Sequence, residues 1–357
     1  MHFTHRQVEF IEAKGNVSRA GEGAFLRLKD GSIMLVYTEY DTADFEDDAS
    51  AHLSCIYSHD DGETWGPPQI FLDKDEEDLN IMSVSFLRLL QGEILLFYLK
   101  KSLKEGKVLC RPFMRRSTDD GKSWSDEICC SKRDSYYVVN NDRVIQLRSG
   151  RILMPAAIYE APKHGASLFP KASICFIASD DNGYTWHEQK EEIQFPDNFP
   201  FGPEEPGLYE HEDGTIWCYL RTKLGCQWEI TSKDGGKTWS TPRPNMFFSS
   251  PHSPLLVKKV CNLTIAVFNP IPNYNGRNKR LWGRTPLLML VSETDGIGHD
   301  QDAFPQPVLL ENDPDNDYCY PALWEGDGYF LLAYYHSNGS DCPLNSMKVV
   351  KINVENA

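Results

Sequence analysis

No run of apolar residues in the 357-residue sequence approaches the roughly 20 needed to cross a bilayer as a helix. The opening residues, Met1 to Arg6, lack both an apolar stretch and a small-residue cleavage site, so the sequence predicts a soluble, unsecreted, cytoplasmic protein. No Pro/Ser-rich linker or polar tract interrupts the chain, which argues against a hinge or disordered arm and predicts one domain over residues 1–357. Apolar residues at a 3.6-residue period never persist beyond two turns, so little helix is expected. Basic residues are in deficit, 36 against 52 acidic, and the net charge of −16 argues against nucleic acid or an anionic membrane as partner. An anionic small ligand would need a local basic cluster. His52, His59, His211 and His252 are scattered rather than grouped at metal-ligand spacing, so neither a metal nor another cofactor is expected. Among ten cysteines only Cys129 and Cys130 are adjacent, which is neither a metal nor a redox spacing. Cys55, Cys175, Cys218 and Cys261 lie in strand-like apolar runs, where a small buried thiol is the expected state.

What the chain does have is repetition. The pattern Ser-x-Asp-x-Gly-x-Thr/Ser-Trp occurs at Ser58–Trp65, Ser117–Trp124, Ser179–Trp186 and Ser232–Trp239, and a worn copy at Ser292–Gly296 has lost its Trp. Successive starts lie 59, 62, 53 and 60 residues apart, long for a helical repeat and right for one four-stranded blade. The pattern suits a hairpin clasp: Asp accepts hydrogen bonds from turn amides, Gly supplies positive φ, and Trp covers the join. A second repeat, two apolar strands about a Gly turn, recurs around Gly31, Gly92, Gly150, Gly214 and Gly328, with a degenerate copy from Leu255 to Phe268. The count predicts an all-β, six-bladed β-propeller, its ring fastened by pairing Val8–Ile11 with Met347–Ile352.

Four such clasps are Asp-box motifs, and with them the chain resembles the sialidase (neuraminidase) superfamily over essentially its whole length. The resemblance implies an arginine triad for a substrate carboxylate, a tyrosine nucleophile beside a glutamate, and an aspartate acid/base. The chemistry accounts for the tyrosine: a sialoside carries its carboxylate on the anomeric carbon, which would repel an anionic nucleophile, whereas a neutral Tyr avoids the repulsion. Carried over by position, Arg284 opens the matching run of arginine, strand and Asp-box Ser, and Arg221 ends the strand ahead of the fourth clasp. Glu205 is the implied partner of the nucleophile, with Glu204 as its neighbour and competitor. Tyr320 has the matching spacing to Leu323, and Tyr318 is the alternative, because one residue of strand register moves a side chain to the other face.

Arg19 stands where the first arginine belongs, but Ala20-Gly21-Glu22 follows it in place of the usual Ile-Pro. Glu22 is an added acid that either neutralises an arginine or contacts a different sugar. Asp48, ten residues before Ser58, is the implied acid/base, with Asp47 a close second. Asn140-Asn141-Asp142-Arg143 replaces a Gly-rich turn common in the superfamily, so Arg143 either reaches substrate or substitutes for Arg19. His252 lies near the implied pocket edge. The implied partner is a glycan or oligosaccharide ending in an acidic sugar, most directly an α-sialoside. A uronic-acid-containing glycan, or glycan binding without catalysis, are the other readings.

Overall fold

The computed structural model describes residues 1–166, 171–196, 198–199, 202–260, 262–273, 282–297, 306–340 and 342–355. These residues form 25 strands and no helix. Alternating and β-branched sequence between Gly-containing turns produces short antiparallel strands, as the repeat predicts. In chain order, β1 (His2–Ile11) is followed by a first group of β2 (Arg19–Arg27), β3 (Ile33–Tyr40), β4 (Ala51–Ser58) and β5 (Gln69–Leu72). The second group is β6 (Asp78–Arg88), β7 (Ile94–Lys104), β8 (Lys107–Ser117) and β9 (Ile128–Cys129). In the third, the short strands β10 (Tyr136–Val138) and β11 (Ile145–Gln146) both pair with β12 (Ile152–Tyr159), which is followed by β13 (Ser173–Ser179) and β14 (His187–Glu188). The fourth is β15 (Glu204–Glu210), β16 (Ile216–Arg221), β17 (Cys226–Ser232) and β18 (Arg243–Ser249). The fifth is β19 (Leu256–Val260), β20 (Leu263–Phe268), β21 (Leu287–Ser292) and β22 (Gln306–Glu311).

The sixth group, β23 (Tyr318–Glu325), β24 (Tyr329–His336) and β25 (Ser346–Glu355), is completed by β1. Here the expected pairing of the two chain ends is present, with Phe10 opposite Lys348 and Ile11 opposite Met347. The first three groups run on as one 13-stranded sheet, joined through the single parallel pairs Ala51–Asn80 and Tyr136–Cys110. The remaining groups are separate four-stranded sheets. The first strands of the groups neighbour one another: β2 touches β6 and β23, and β19 touches β15 and β23. Asp142 N–H donates to Val84 O (2.9 Å), bringing the β10–β11 segment onto β6.

The four clasps are alike in atomic detail. In the third, Ser179 Oγ (2.8 Å) and Thr185 N–H (2.8 Å) donate to Asp181 Oδ1, Thr185 Oγ1 donates to Oδ2 (2.6 Å), and Gly183 N–H donates to Ser179 Oγ (2.8 Å). The clasp Trp packs on an aromatic ring; Trp239, for one, stacks on Phe176 with centroids 4.0 Å apart. The worn copy has been put to another use. Asp295 accepts from Tyr209 OH (2.9 Å) and the Glu212 backbone amide (2.6 Å), tying the fifth group to the fourth. The nine cysteines among the described residues are free thiols, and Cys261 lies outside the described residues.

Candidate functional site

Four of the group-opening strands, β2, β6, β15 and β23, break their ladders at a bulge, and each bulge holds a non-glycine residue in the left-handed region. These are Glu22 (φ 53°), Ser83 (φ 58°), Glu205 (φ 44°) and Tyr320 (φ 56°). Asp142 (φ 58°) does the same between β10 and β11. Such a residue costs on the order of 1–3 kcal/mol, and a bulge re-aims its side chain out of the regular alternation. Glu22, Ser83, Glu205 and Tyr320 all line one cavity of about 60 Å³, together with Arg19, Asp47, Lys101 and Asn140.

On one side, Tyr320 OH donates to Glu205 Oε1 (2.5 Å) and accepts from Arg221 Nη1 (3.1 Å). Arg221 Nη1 also pairs with Glu205 Oε2 (2.5 Å). Burial and the Glu205 carboxylate push the Tyr320 phenol well above its usual value, against the pull of Arg221 and Arg284, so it stays protonated and donates. The Arg284 guanidinium lies 5.5 Å from the Tyr320 ring centroid, is fully buried, and donates to Cys319 Sγ (3.0 Å) and His252 O (3.2 Å). His252 Nδ1 faces Arg221 Nη2 at 3.1 Å and its Nε2 bonds Glu204 Oε2. Since the arginine can only donate, Nδ1 is the acceptor and Nε2 carries the proton. Burial, then Arg221, holds His252 down at about 3, so it is neutral. Glu204 is held at about 2, burial being outweighed by His252 and Arg221.

On the other side, Arg19 is 1% exposed, stacks over Tyr40 (4.2 Å to the centroid) and donates to Asp47 Oδ1 (2.7 Å), Phe45 O (3.1 Å) and Glu22 Oε1 (3.1 Å). Burial lifts the Glu22 carboxyl above the usual range despite Arg19 and a hydrogen bond from Ser83. Asp47 lies among many protein atoms yet keeps 60% of its side chain accessible, because it faces open space. The crowding would raise its carboxyl; Arg19 and Lys101 more than offset this and hold it at about 2. Lys101, which the sequence did not single out, is 2% exposed and bonds Asp47 O.

The structure thus brings together Arg19, Glu22, Glu205, Arg221, Arg284 and Tyr320. It separates three other expected or alternative residues from them. Tyr318 points into the apolar packing against Tyr334 and His336; regular alternation would put it on the face of Tyr320, two residues on, but the bulge between Cys319 and Ala322 turns Tyr320 to the other face. Asp48 faces His164 (3.5 Å) in a neighbouring depression of about 510 Å³, and it is Asp47 that lines both that depression and the inner cavity. Arg143 is absent from the cavity lining. Its Nη1 donates to Tyr219 OH (2.9 Å) and its Nη2 to Leu255 O (2.5 Å), so it ties the third group to the fourth and fifth. It neither substitutes for Arg19 nor lines the site. Ser83 carried no sequence signal; an αL serine in a strand is invisible without the bulge. A larger depression of about 870 Å³, lined by Arg27, Arg148, Lys259 and Trp324 among others, shares none of these groups.

Comparison with known proteins bears on the family and the fold. Residues 31–332 match the model of the BNR repeat-like domain. An anhydrosialidase from Macrobdella decora is 31% identical over 241 residues, which is 62% of this chain and 29% of the anhydrosialidase. A protein of unknown function from Dyadobacter fermentans superposes with a TM-score of 0.74 at 19% identity, covering 98% of this chain and 99% of that one. The leech intramolecular trans-sialidase superposes with a TM-score of 0.72 at 17% identity over 98% of this chain and 70% of its own. Clasps, all-β groups and family match agree: the chain belongs to the BNR repeat-like family.

Proposed function

We propose that the six groups are the blades of a six-bladed β-propeller and that the protein is a glycosidase releasing a terminal acidic sugar, most directly an α-sialoside. The observation that carries this reading is the Tyr320–Glu205 hydrogen bond flanked by Arg221 and Arg284. Arg221 and Arg284, with Arg19 across the cavity, are the donors for a substrate carboxylate. Tyr320 Oη attacks the anomeric carbon while its proton passes to Glu205 and the glycosidic C–O bond breaks. The leaving oxygen takes a proton from Asp47, which replaces Asp48 in this role because it stands at the junction of the inner cavity and the outer depression, where an aglycone would lie. A second nucleophile then gives its proton to Asp47 and bonds the anomeric carbon as the tyrosyl C–O bond breaks, and Tyr320 takes its proton back from Glu205.

That second nucleophile is water in a hydrolase. The 31% identity to an anhydrosialidase supports an internal hydroxyl of the sugar instead, giving an anhydro product. Release of a chromogenic aglycone from α-sialosides, uronides and neutral glycosides tests the reading. Tyr320→Phe should lower sialoside turnover by about 10³-fold or more. Arg284→Ala should lower kcat/KM by about 10- to 100-fold, the loss of a charge-assisted contact. Activity on a sialoside that Tyr320→Phe leaves intact would refute the tyrosyl mechanism. Activity on uronides alone, or binding without release, would move the function to those readings. Nuclear magnetic resonance of the released sugar separates free acid from anhydro product.

A further inference from the structure

One wall of the inner cavity is not used by this chemistry. Glu22 and Ser83 face it from left-handed positions on β2 and β6, the same backbone device that presents Glu205 and Tyr320. Ser83 Oγ donates to Glu22 Oε2 (2.5 Å) and Arg19 Nη2 to Oε1 (3.1 Å). Arg19–Glu22–Ser83 therefore repeats the arginine–carboxylate–hydroxyl order of Arg221–Glu205–Tyr320. The serine has committed its one proton, and each carboxylate oxygen retains a further acceptor site.

Asn140 supplies the complement. It is 2% exposed and lines the same cavity; its Oδ1 is occupied by the Asn141 N–H (3.1 Å), and its Nδ2 is buried without a partner. A buried amide donor left unanswered is costly, so the position points to a ligand atom or water that accepts from it. The space of about 60 Å³ holds a few water molecules. It takes a substituent of a sugar and not a pyranose ring. A hydroxyl fits this space and both donates and accepts.

Building on the acidic-glycoside reading, we infer that Glu22 and Asn140 form a specificity-determining subsite for one free hydroxyl of the sugar, which donates to Glu22 and accepts from Asn140 Nδ2. Ser83 is a positioning residue that fixes the Glu22 carboxylate, and Arg19 fixes it through Nη2 while its other donors remain for the substrate. A sugar lacking that hydroxyl would leave both groups unpaired and be rejected.

The test is calorimetric binding to the whole protein of the 2,3-didehydro glycal of N-acetylneuraminic acid and of analogues each lacking one hydroxyl. The wild type should bind the parent about 10- to 100-fold more tightly than one particular analogue. Glu22→Gln and Asn140→Ala should each bring that ratio close to unity while leaving the ratios for the other analogues unchanged. Asn140→Ala removes an amide donor with no protein partner, so it carries the comparison if Glu22→Gln fails to fold. Equal weakening across the whole series in the variants would overturn the hydroxyl subsite alone. Failure of the wild type to bind any glycal would overturn the sialoside reading beneath it.

Discussion

A carboxylated ligand that takes the Nη1 edge of Arg19 displaces Asp47 from it, and the displacement has a measurable proton cost. In the free protein the Asp47 carboxyl, though open to solvent on one side, is held at about 2 by Arg19 and Lys101 against the crowding of surrounding protein atoms. At pH 4 such a group is about 1% protonated, whereas an aspartate returned to its ordinary value near 3.9 is about 45% protonated. Binding should therefore take up about 0.4 proton per ligand at pH 4 and almost none at pH 6, where both forms are ionised. The sign is fixed by the structure, since loss of a cationic partner can only raise a carboxyl. The consequence is mechanistic: substrate itself would convert Asp47 from Arg19's counter-ion into a proton donor at the glycosidic oxygen. Calorimetry of the sialic acid glycal at pH 4, in buffers of different ionisation enthalpy, reads the uptake directly. Asp47→Asn serves as the reference that subtracts the ligand's own titration. Equal uptake by wild type and Asp47→Asn, within about 0.1 proton, would refute the displacement.

Three further outcomes follow from the geometry. Arg143→Met should destabilise the fold by about 2–4 kcal/mol in urea, because Tyr219 OH and Leu255 O lose a buried cationic donor, while KM is unchanged. A raised KM with unchanged stability would return Arg143 to the site. Asp181→Ala removes three clasp hydrogen bonds and should cost about 1–3 kcal/mol in urea, discounted for its exposure, with no change in kcat. The Asp181 carboxyl sits at about 2 in the folded protein, below its usual value, so its contribution is present above about pH 4 and fades as pH falls through about 2. His252, buried and neutral down to about pH 3, gives up stability as pH falls from about 6.5, where the unfolded imidazole begins to charge. Melting temperatures of His252→Gln should therefore fall less than those of wild type between pH 6.5 and 3; parallel curves would place a charged imidazole beside Arg221.

Where the sequence could be read, it was read from period and chemistry. The clasps fix the turns because Ser, Asp, Gly and Thr each have one job at one offset, so the spacing of 53 to 62 residues reveals the groups before any strand is seen. Tyr318 and Tyr320 would share a face under regular alternation, and only the structure supplies the bulge between Cys319 and Ala322 that turns Tyr320 alone toward the cavity. The Asp47–Asp48 choice was illegible for a related reason. Both lie in an acidic loop outside any strand, and the turn that aims Asp47 at Arg19 depends on contacts made by Lys101 and Asn80 from another group. Arg143 misled because a buried arginine binding backbone and phenol oxygens has no pattern that separates it from one binding substrate.

The left-handed bulges explain why the rest of the site was hidden. Left-handed backbone is ordinarily read from glycine, or from a short Asp or Asn beside it, and the clasps follow that rule at Gly62, Gly121, Gly183 and Gly236 and at Asp61, Asp120 and Asn182 just before three of them. In the cavity the rule is broken by Glu22, Ser83, Glu205 and Tyr320, which accept the same φ at a steric cost. Glycine would relieve that cost at all four positions and leave the cavity without its two hydroxyl–carboxylate pairs. A bulge lets one residue leave the sheet's in-and-out alternation, so these side chains reach the cavity while their neighbours stay in the ladder. What sets the cavity apart is the residue type: left-handed Glu, Ser and Tyr lack the local Asx contacts that ease Asp and Asn in the clasps, and the packed six groups and their clasps supply the stability that tolerates them.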